Sequence, residues 1–415
     1  MTICWSFIVI SLARRLGLAL VALLLLGAPA LAADRAPVLL ISIDGFSAEY
    51  ATRGLTPTLA ALAGEGAWAP DGMRPSFPVN TFPNHYSLVT GLRPDHHGIT
   101  DNTLFDAARP GVKFSMYARD QVQDRFWWDE AEPVWVTAEQ HGLRAFTMYW
   151  PGSEAPVYGV RPSRWFVYDE KDPAFTRVDR VLGWLDLPAG ERPDFMTLYF
   201  EAIDTIGHRV SPEGADLNQA LGEVDAALAR LVAGLKARGL YDRVNLIIVA
   251  DHGMAETSPD RIVFLDDLVP IGEVTTVTLG TVSGLIPRTP AAEAALVGQH
   301  PHVECWRKAQ LPARFHYGTH RRIPQVICLP ETGWLLSTRE RAASRPMTGP
   351  AGSHGYDPDA AQMRALFVAH GPAFRPGVRL PVFDNVSVYP LIMRLLGLKP
   401  RPNDGRAKDT LRALR

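Results

Sequence analysis

Six side chains of one chemical kind are scattered through the chain: Asp44, Asp204, His208, Asp251, His252 and His354. Carboxylates and neutral imidazoles are the ligands that suit zinc, and six of them are enough for two ions. Taken singly, most are ordinary. Asp44-Gly45 reads as a strand-ending turn, and His354 lies in a Gly-flanked loop, Gly352-Ser353-His354-Gly355. Asp204 and His208 share one helix face if their segment is helical, but such pairs occur on many surface helices. Asp251-His252 is stronger, because it follows an apolar run, where a charged pair needs partners or a metal.

A seventh residue supplies a nucleophile. Thr81 lies between Pro78 and Pro83 in Phe77–Gly98, FPVNTFPNHYSLVTGLRPDHHG. The prolines restrain the backbone around it. Helix signals follow from His85 to Thr90, ending at Gly91. A helix N-terminus presents free N–H groups to an anion such as phosphate. A threonine hydroxyl is a weak nucleophile until its proton is drawn off, which the candidate metal ligands would achieve.

The elements that must position these residues alternate apolar runs with helical patterns, which predicts a mostly parallel sheet with helices on both faces. Val38–Ile43, Arg144–Trp150, Phe195–Phe200, Val244–Ala250 and Leu366–Ala369 read as strands. Thr56-Pro57 reads as an N-cap and first helical turn, closing at Gly64 or Gly66. Leucines and Val224 from Leu217 to Leu235 recur at steps of three and four, one helix face stopped at Gly239. Val386–Leu396 reads as a closing helix. Three strands run into Asp44, Asp204 and Asp251. In open α/β sheets the site lies beyond the carboxyl ends of the strands, so these acids gather at one edge. Between about 259 and 347 the apolar runs shorten and Pro, Arg and Thr increase, which reads as an inserted cap or subdomain.

Composition sets the surroundings. The chain has 415 residues and a formal charge of −2. Arg14-Arg15, the apolar run Leu16–Leu26 and Ala30-Leu31-Ala32 read as a signal peptide over residues 1–32, giving an exported protein, periplasmic or secreted. The run is too short for a comfortable membrane span. Cys305 and Cys328 remain after the leader, an even count that favours one disulfide in an oxidising compartment. Without basic runs the chain has no grip for polynucleotides, and no GxxxxGK[ST] phosphate loop is present. A C/S-x-P-x-R motif is also absent, which excludes a formylglycine sulfatase.

The ordered set Asp44-Gly45, Pro75–Gly91, His97-Gly98-Ile99-x-Asp101-Asn102, Asp204-x-x-x-His208, Asp251-His252-Gly253-Met254 and His354-Gly355-Tyr356-Asp357 resembles the nucleotide pyrophosphatase/phosphodiesterase family of the alkaline phosphatase superfamily. The resemblance runs from Val38 to about Leu398. It implies an alkaline-phosphatase-like α/β core and two zinc ions. Asp44, Thr81, Asp251 and His252 would hold one ion; Asp204, His208 and His354 would hold the other. Thr81 would attack phosphorus and form a phosphothreonine, with Asn102 and the Thr81 N–H on a non-bridging oxygen. Phe82 and Tyr199 would sandwich a nucleobase. Trp127, Trp128 and Trp150 either line this pocket or pack beneath it; His85, His96 and His97 are read as scaffold.

The substrate then expected is a small nucleotide diester or pyrophosphate, cleaved by a monomer to nucleoside monophosphates. A choline-type glycerophosphodiester is the alternative that Glu201 beside Tyr199 keeps open. Phosphonate or phosphomonoester hydrolysis belongs to the same superfamily, although ordinary alkaline phosphatases pair Ser with an Arg. A non-catalytic binding protein on this fold would carry a damaged ligand set, and all seven metal positions are intact here.

Overall fold

The computed structural model describes residues 35–415. The expected leader at residues 1–32 lies outside them. Pro37–Arg415 forms one compact unit. Its centre is a seven-stranded sheet of β1 (Val38–Ile43), β2 (Ala67–Trp68), β3 (Ala145–Met148), β4 (Phe195–Phe200), β5 (Asn245–Val249), β6 (Phe367–His370) and β7 (Val378–Arg379). The spatial order is β7-β2-β6-β5-β1-β4-β3. Only β6 runs against its neighbours; β1 pairs in parallel with both β4 and β5. All six residues of β1 and all five of β5 are buried, as strands covered on both faces must be.

The covering helices are α1 (Pro57–Glu65), α2 (Thr81–Thr90), α3 (Val134–Gln140), α4 (Ala174–Leu185), α5 (Ala202–Gly207), α6 (Ala215–Ala237) and α7 (Val388–Leu395). They form two groups. α1 and α4 pack on α6, whereas α2 and α3 pack on α7. The leucine stripe of α6 is buried, and Gly239 ends that helix at φ 63°. Among the described residues no helix is long and apolar enough to cross a membrane.

Two helix starts differ from the sequence reading. Thr56 occupies the N-cap position of α1, but its side chain makes no capping bond. The carboxylate of Asp225, reaching over from α6, accepts instead from the Thr58 and Leu59 N–H groups at 3.0 and 2.9 Å. A long-range cap of this kind leaves no local signal. The second difference is α2, which opens at Thr81 rather than near His85. Asn84 makes that early start possible: its amide donates to the Asn80 and Pro78 carbonyls at 2.9 and 3.0 Å, and its Oδ1 accepts from the Ser76 N–H at 2.7 Å.

Residues 259–347 carry a five-stranded antiparallel sheet over Val274–Thr276, Ser283–Pro287, Gly298–His300, Val303–Arg307 and Val326–Pro330. It has its own apolar core around Leu265, Leu285, Leu296 and Val326. Cys305 and Cys328 face each other across the two central strands and form a disulfide. This layer is fastened near the stretch that leads to Thr81. Phe315 stacks on Phe77 at 4.5 Å, and the buried Arg322 donates to Asp106 and to the Gly98 and Trp127 carbonyls.

Candidate active site

The parallel register sets the geometry. Ser42 lies level with Tyr199 on β4 and with Val249 on β5, so the three chains leave the sheet together. Asp44, Asp204 and Asp251 follow within a few residues. The turn after β1 is tight: Gly45 has φ 68°, and a Cβ there would sit 3.0 Å from the Asp204 Cα and Cβ. Glycine is needed twice over, for the left-handed backbone and for the approach of Asp204. Its N–H also donates to Asp251 Oδ1 at 3.2 Å.

The six expected ligands meet in two adjoining halves. In the first, His252 Nε2 lies 3.0 Å from Asp251 Oδ2, 3.6 Å from Asp44 Oδ1 and 3.5 Å from Thr81 Oγ1. In the second, Asp204 Oδ1, His208 Nε2 and His354 Nε2 stand 3.4, 3.5 and 3.1 Å apart. Four ligands at about 2.0–2.1 Å around a tetrahedral zinc are spaced roughly 3.3 Å from one another, so these separations match the edges of such a site. The family resemblance implies His252 in the first half alone. The structure places it between them: its ring stacks on His354 at 3.6 Å, and it also lies close to Asp204.

The remaining atoms fit a cation. Asp44 Oδ1, Asp204 Oδ1 and Asp251 Oδ2 are buried and make no hydrogen bond. An orphaned buried carboxylate oxygen is costly, and three facing imidazole nitrogens are better explained by shared positive charge than by chance. The histidines are oriented accordingly. Nδ1 of His208, His252 and His354 donates to the carbonyls of Gly352, Gly253 and Val79 at 3.1, 3.0 and 2.9 Å. Each Nε2 is thereby left as the ligating atom, an arrangement typical of metal-bound histidine.

Electrostatics without a cation agree. Burial, followed by Asp251 and Asp204, pushes Asp44 well above the usual carboxylate range. For Asp251 burial acts upward too, but His252 and His85 overcome it and hold the group well below that range. Burial, then His252 and His208, drives His354 well below the ordinary imidazole value, so it stays neutral and available.

Around Thr81, the first turn of α2 has three distinct fates for its backbone. The Phe82 N–H donates to Asn102 Oδ1 at 2.8 Å, Pro83 has none, and the Thr81 N–H has no preceding carbonyl to meet. With Oδ1 occupied, Asn102 offers its Nδ2 amide as donor. Phe82 itself packs against Phe114 and Trp128. Trp127, Trp128 and Trp150 are buried; Trp127 and Trp128 pack on Phe114, and Trp150 packs on His85.

Two supporting roles are invisible in the sequence. The Tyr199 hydroxyl donates to Asp44 Oδ2 at 2.6 Å, and its ring meets Tyr168 and His85 edge-on. His85 bridges inward: Nε2 meets Ser42 Oγ at 2.8 Å, and Nδ1 lies 2.9 Å from the Thr81 carbonyl and 3.4 Å from Asp251 Oδ2. Neither pairing has a spacing rule; only the strand register brings Tyr199 to Asp44. His97 is scaffold, bonded to Ser87 at 3.0 Å, and His96 pairs with Asp404 at 2.8 Å. Glu201 does not stand free beside Tyr199. It is bound by both guanidinium nitrogens of the buried Arg177, at 2.5 and 2.9 Å.

A threonine hydroxyl at a helix start, two clusters of acids and histidines at the carboxyl ends of parallel strands, and helices on both faces fit a hydrolase of the alkaline phosphatase superfamily. Residues 38–357 match the family model described as type I phosphodiesterase / nucleotide pyrophosphatase. A pyrophosphatase/phosphodiesterase of Schizosaccharomyces pombe is 36% identical over 387 residues, covering 90% of this chain and 79% of that protein. A bis(5'-adenosyl)-triphosphatase of Xenopus laevis is 35% identical over 376 residues, covering 90% of this chain and 80% of the relative. Murine ectonucleotide pyrophosphatase/phosphodiesterase 5, solved as an inactive threonine-to-alanine variant in complex with AMP, superposes with a TM-score of 0.85 at 29% identity, over 91% of this chain and 100% of that one. The chain belongs to the type I phosphodiesterase / nucleotide pyrophosphatase family, hydrolases of phosphodiester and phosphoric anhydride bonds.

Proposed function

We propose that this protein is a zinc-dependent, exported phosphodiesterase that cleaves nucleotide diesters and pyrophosphates to nucleoside monophosphates through a phosphothreonine. The observation that carries it is the convergence of Thr81 Oγ1 with Asp44, Asp251 and His252 beside a second triad of Asp204, His208 and His354. Nucleotide substrates are supported by the relative named for a dinucleoside triphosphate and by the neighbour solved with AMP.

Asp44, Asp251, His252 and Thr81 would hold one ion, and Asp204, His208 and His354 the other. When bound, such ions lower the pKa of the nucleophile and offset charge on attacking and leaving oxygens. Thr81 Oγ, its proton drawn off, attacks phosphorus from the α2 start, the bond to the leaving oxygen breaks, and a phosphoryl group that still carries the nucleoside ester stays on threonine. The Thr81 N–H and the Asn102 amide hold a non-bridging oxygen, preorganised by the Asn102–Phe82 bond. Water then breaks the threonine–phosphorus bond and releases the monoester. Phe82, on its aromatic floor, offers a face to a base.

A choline headgroup needs an uncompensated acid in an aromatic cage, and Glu201 has given its charge to Arg177. The deciding experiment compares the nitrophenyl ester of thymidine monophosphate, a diester, with nitrophenyl phosphate on metal-quantified protein, with and without chelator. A faster diester reaction that chelator stops is the expected result. A faster monoester, or turnover indifferent to chelator, overturns the reading.

A further inference from the structure

We propose that Asp101 is a specificity-determining residue, whose carboxylate, one hydrogen bond behind the phosphate-binding groups, selects singly charged phosphodiesters against doubly charged phosphomonoesters. The inference rests on the function proposed above. Asp101 Oδ1 accepts from the Asn102 N–H at 2.6 Å and from Asn80 Nδ2 at 3.1 Å. Asn102 is the amide held against Phe82, and Asn80 occupies the N-cap position of the helix that begins with Thr81. The acid is therefore braced between Asn102, whose amide meets a phosphate oxygen, and Asn80, the residue before Thr81.

Its charge differs in kind from the others nearby. Asp44, Asp204 and Asp251 face histidine nitrogens and would be balanced by bound cations. Glu201 is balanced by Arg177. The partners of Asp101 are neutral: two amide groups and the Thr103 backbone. Its negative charge is thus uncompensated at short range and acts directly on whatever phosphate sits at Asn102. In a part-buried setting one extra unit of substrate charge at this range matters, whereas in bulk water it would be screened. A monoester dianion carries that extra unit; a diester does not. Burial pushes Asp101 up to about 7, so the charge is fully present in assays run at pH 9.

The test uses the metal-loaded enzyme, wild type and D101N, at pH 9 on the same two nitrophenyl substrates. Asparagine keeps the shape and an acceptor oxygen while removing the charge. The diester-to-monoester ratio of kcat/KM should fall about tenfold, with monoester kcat/KM rising in absolute terms. An unchanged ratio, with both activities lowered together, overturns the proposal and leaves Asp101 as scaffold. If D101N does not fold with its metal, D101S, which keeps a small acceptor, is measured by the same ratio. A wild-type enzyme that does not cleave the diester removes the proposed function itself, an outcome distinct from a diesterase whose ratio ignores residue 101.

Discussion

The two halves of the ligand cluster share a histidine-and-acid chemistry but differ in how they are built. Asp44, Asp251 and His252 are sealed, with side-chain exposures of 2%, 0% and 0%, and hang from the ends of central strands. In the other half His354 is also buried, but His208 is 41% exposed and Asp204 18%, on a helix of six residues that His208 closes. The buried half is also braced by side chains, Tyr199 on Asp44 and His85 beside Asp251, whereas His208 rests on one backbone carbonyl. A rigid half suits the nucleophile, which must be held in one geometry. An open half suits the place where leaving group and water exchange. Thr81 Oγ1 meets the rigid half at His252.

The largest expected effect follows from that placement. T81A should lower diester turnover by more than ~10³-fold, since a chemical step loses its nucleophile. Metal content should hold at the wild-type level, because three ligands of that half remain. Metal analysis and single-turnover kinetics on the same sample check it; a variant that keeps activity would sink the assignment of the nucleophile.

Breaking one ligand in each half sharpens the comparison. D251N removes a charge from a fully buried cluster, a disruption of the kind that costs about 3–5 kcal/mol. It should abolish stable loading of that half and most activity with it. H208Q, in the exposed half, should cost nearer tenfold and be restored by excess zinc, as groups open to solvent are worth about 1 kcal/mol. Equal losses in the two variants would mean that burial does not separate the halves.

Chelator offers the same contrast without mutation. Ion release should occur in two phases, with the faster one assigned to the His208 half by its abolition in H208Q. A single phase would indicate that His252, which lies between the halves, couples them into one cluster.

Much of this was legible because strands announce themselves. Val38–Ile43 and Phe195–Phe200 are continuous apolar runs with the boundaries the structure has, and the rule that sites lie beyond parallel strand ends placed Asp44, Asp204 and Asp251 together. What was not legible depends on contacts between distant residues. Asp225 replaces Thr56 as the cap of α1, reaching Leu59 from 166 positions away, beyond any local pattern. The family resemblance gives Tyr199 a place at a nucleobase; the bond from its hydroxyl to Asp44 follows only from the strand register. Glu201 looked free in sequence, and its partner Arg177 lies on another helix.

The smallest expected effect tests the bracing of the rigid half. Y199F keeps the ring against Tyr168 and His85 and removes only the bond to Asp44. A hydrogen bond to a carboxylate contributes about 1.5–3 kcal/mol, and losing a group that orients a metal ligand typically costs 10–100-fold. The lower end is expected here, about tenfold in kcat, because Asp44 Oδ1, the oxygen facing His252, is not the one Tyr199 touches. KM for the diester should stay near wild type if Tyr199 acts through Asp44. A rise in KM that differs between purine and pyrimidine nucleotides, with kcat unchanged, would instead return Tyr199 to the base pocket and leave the buried half braced by His85 alone.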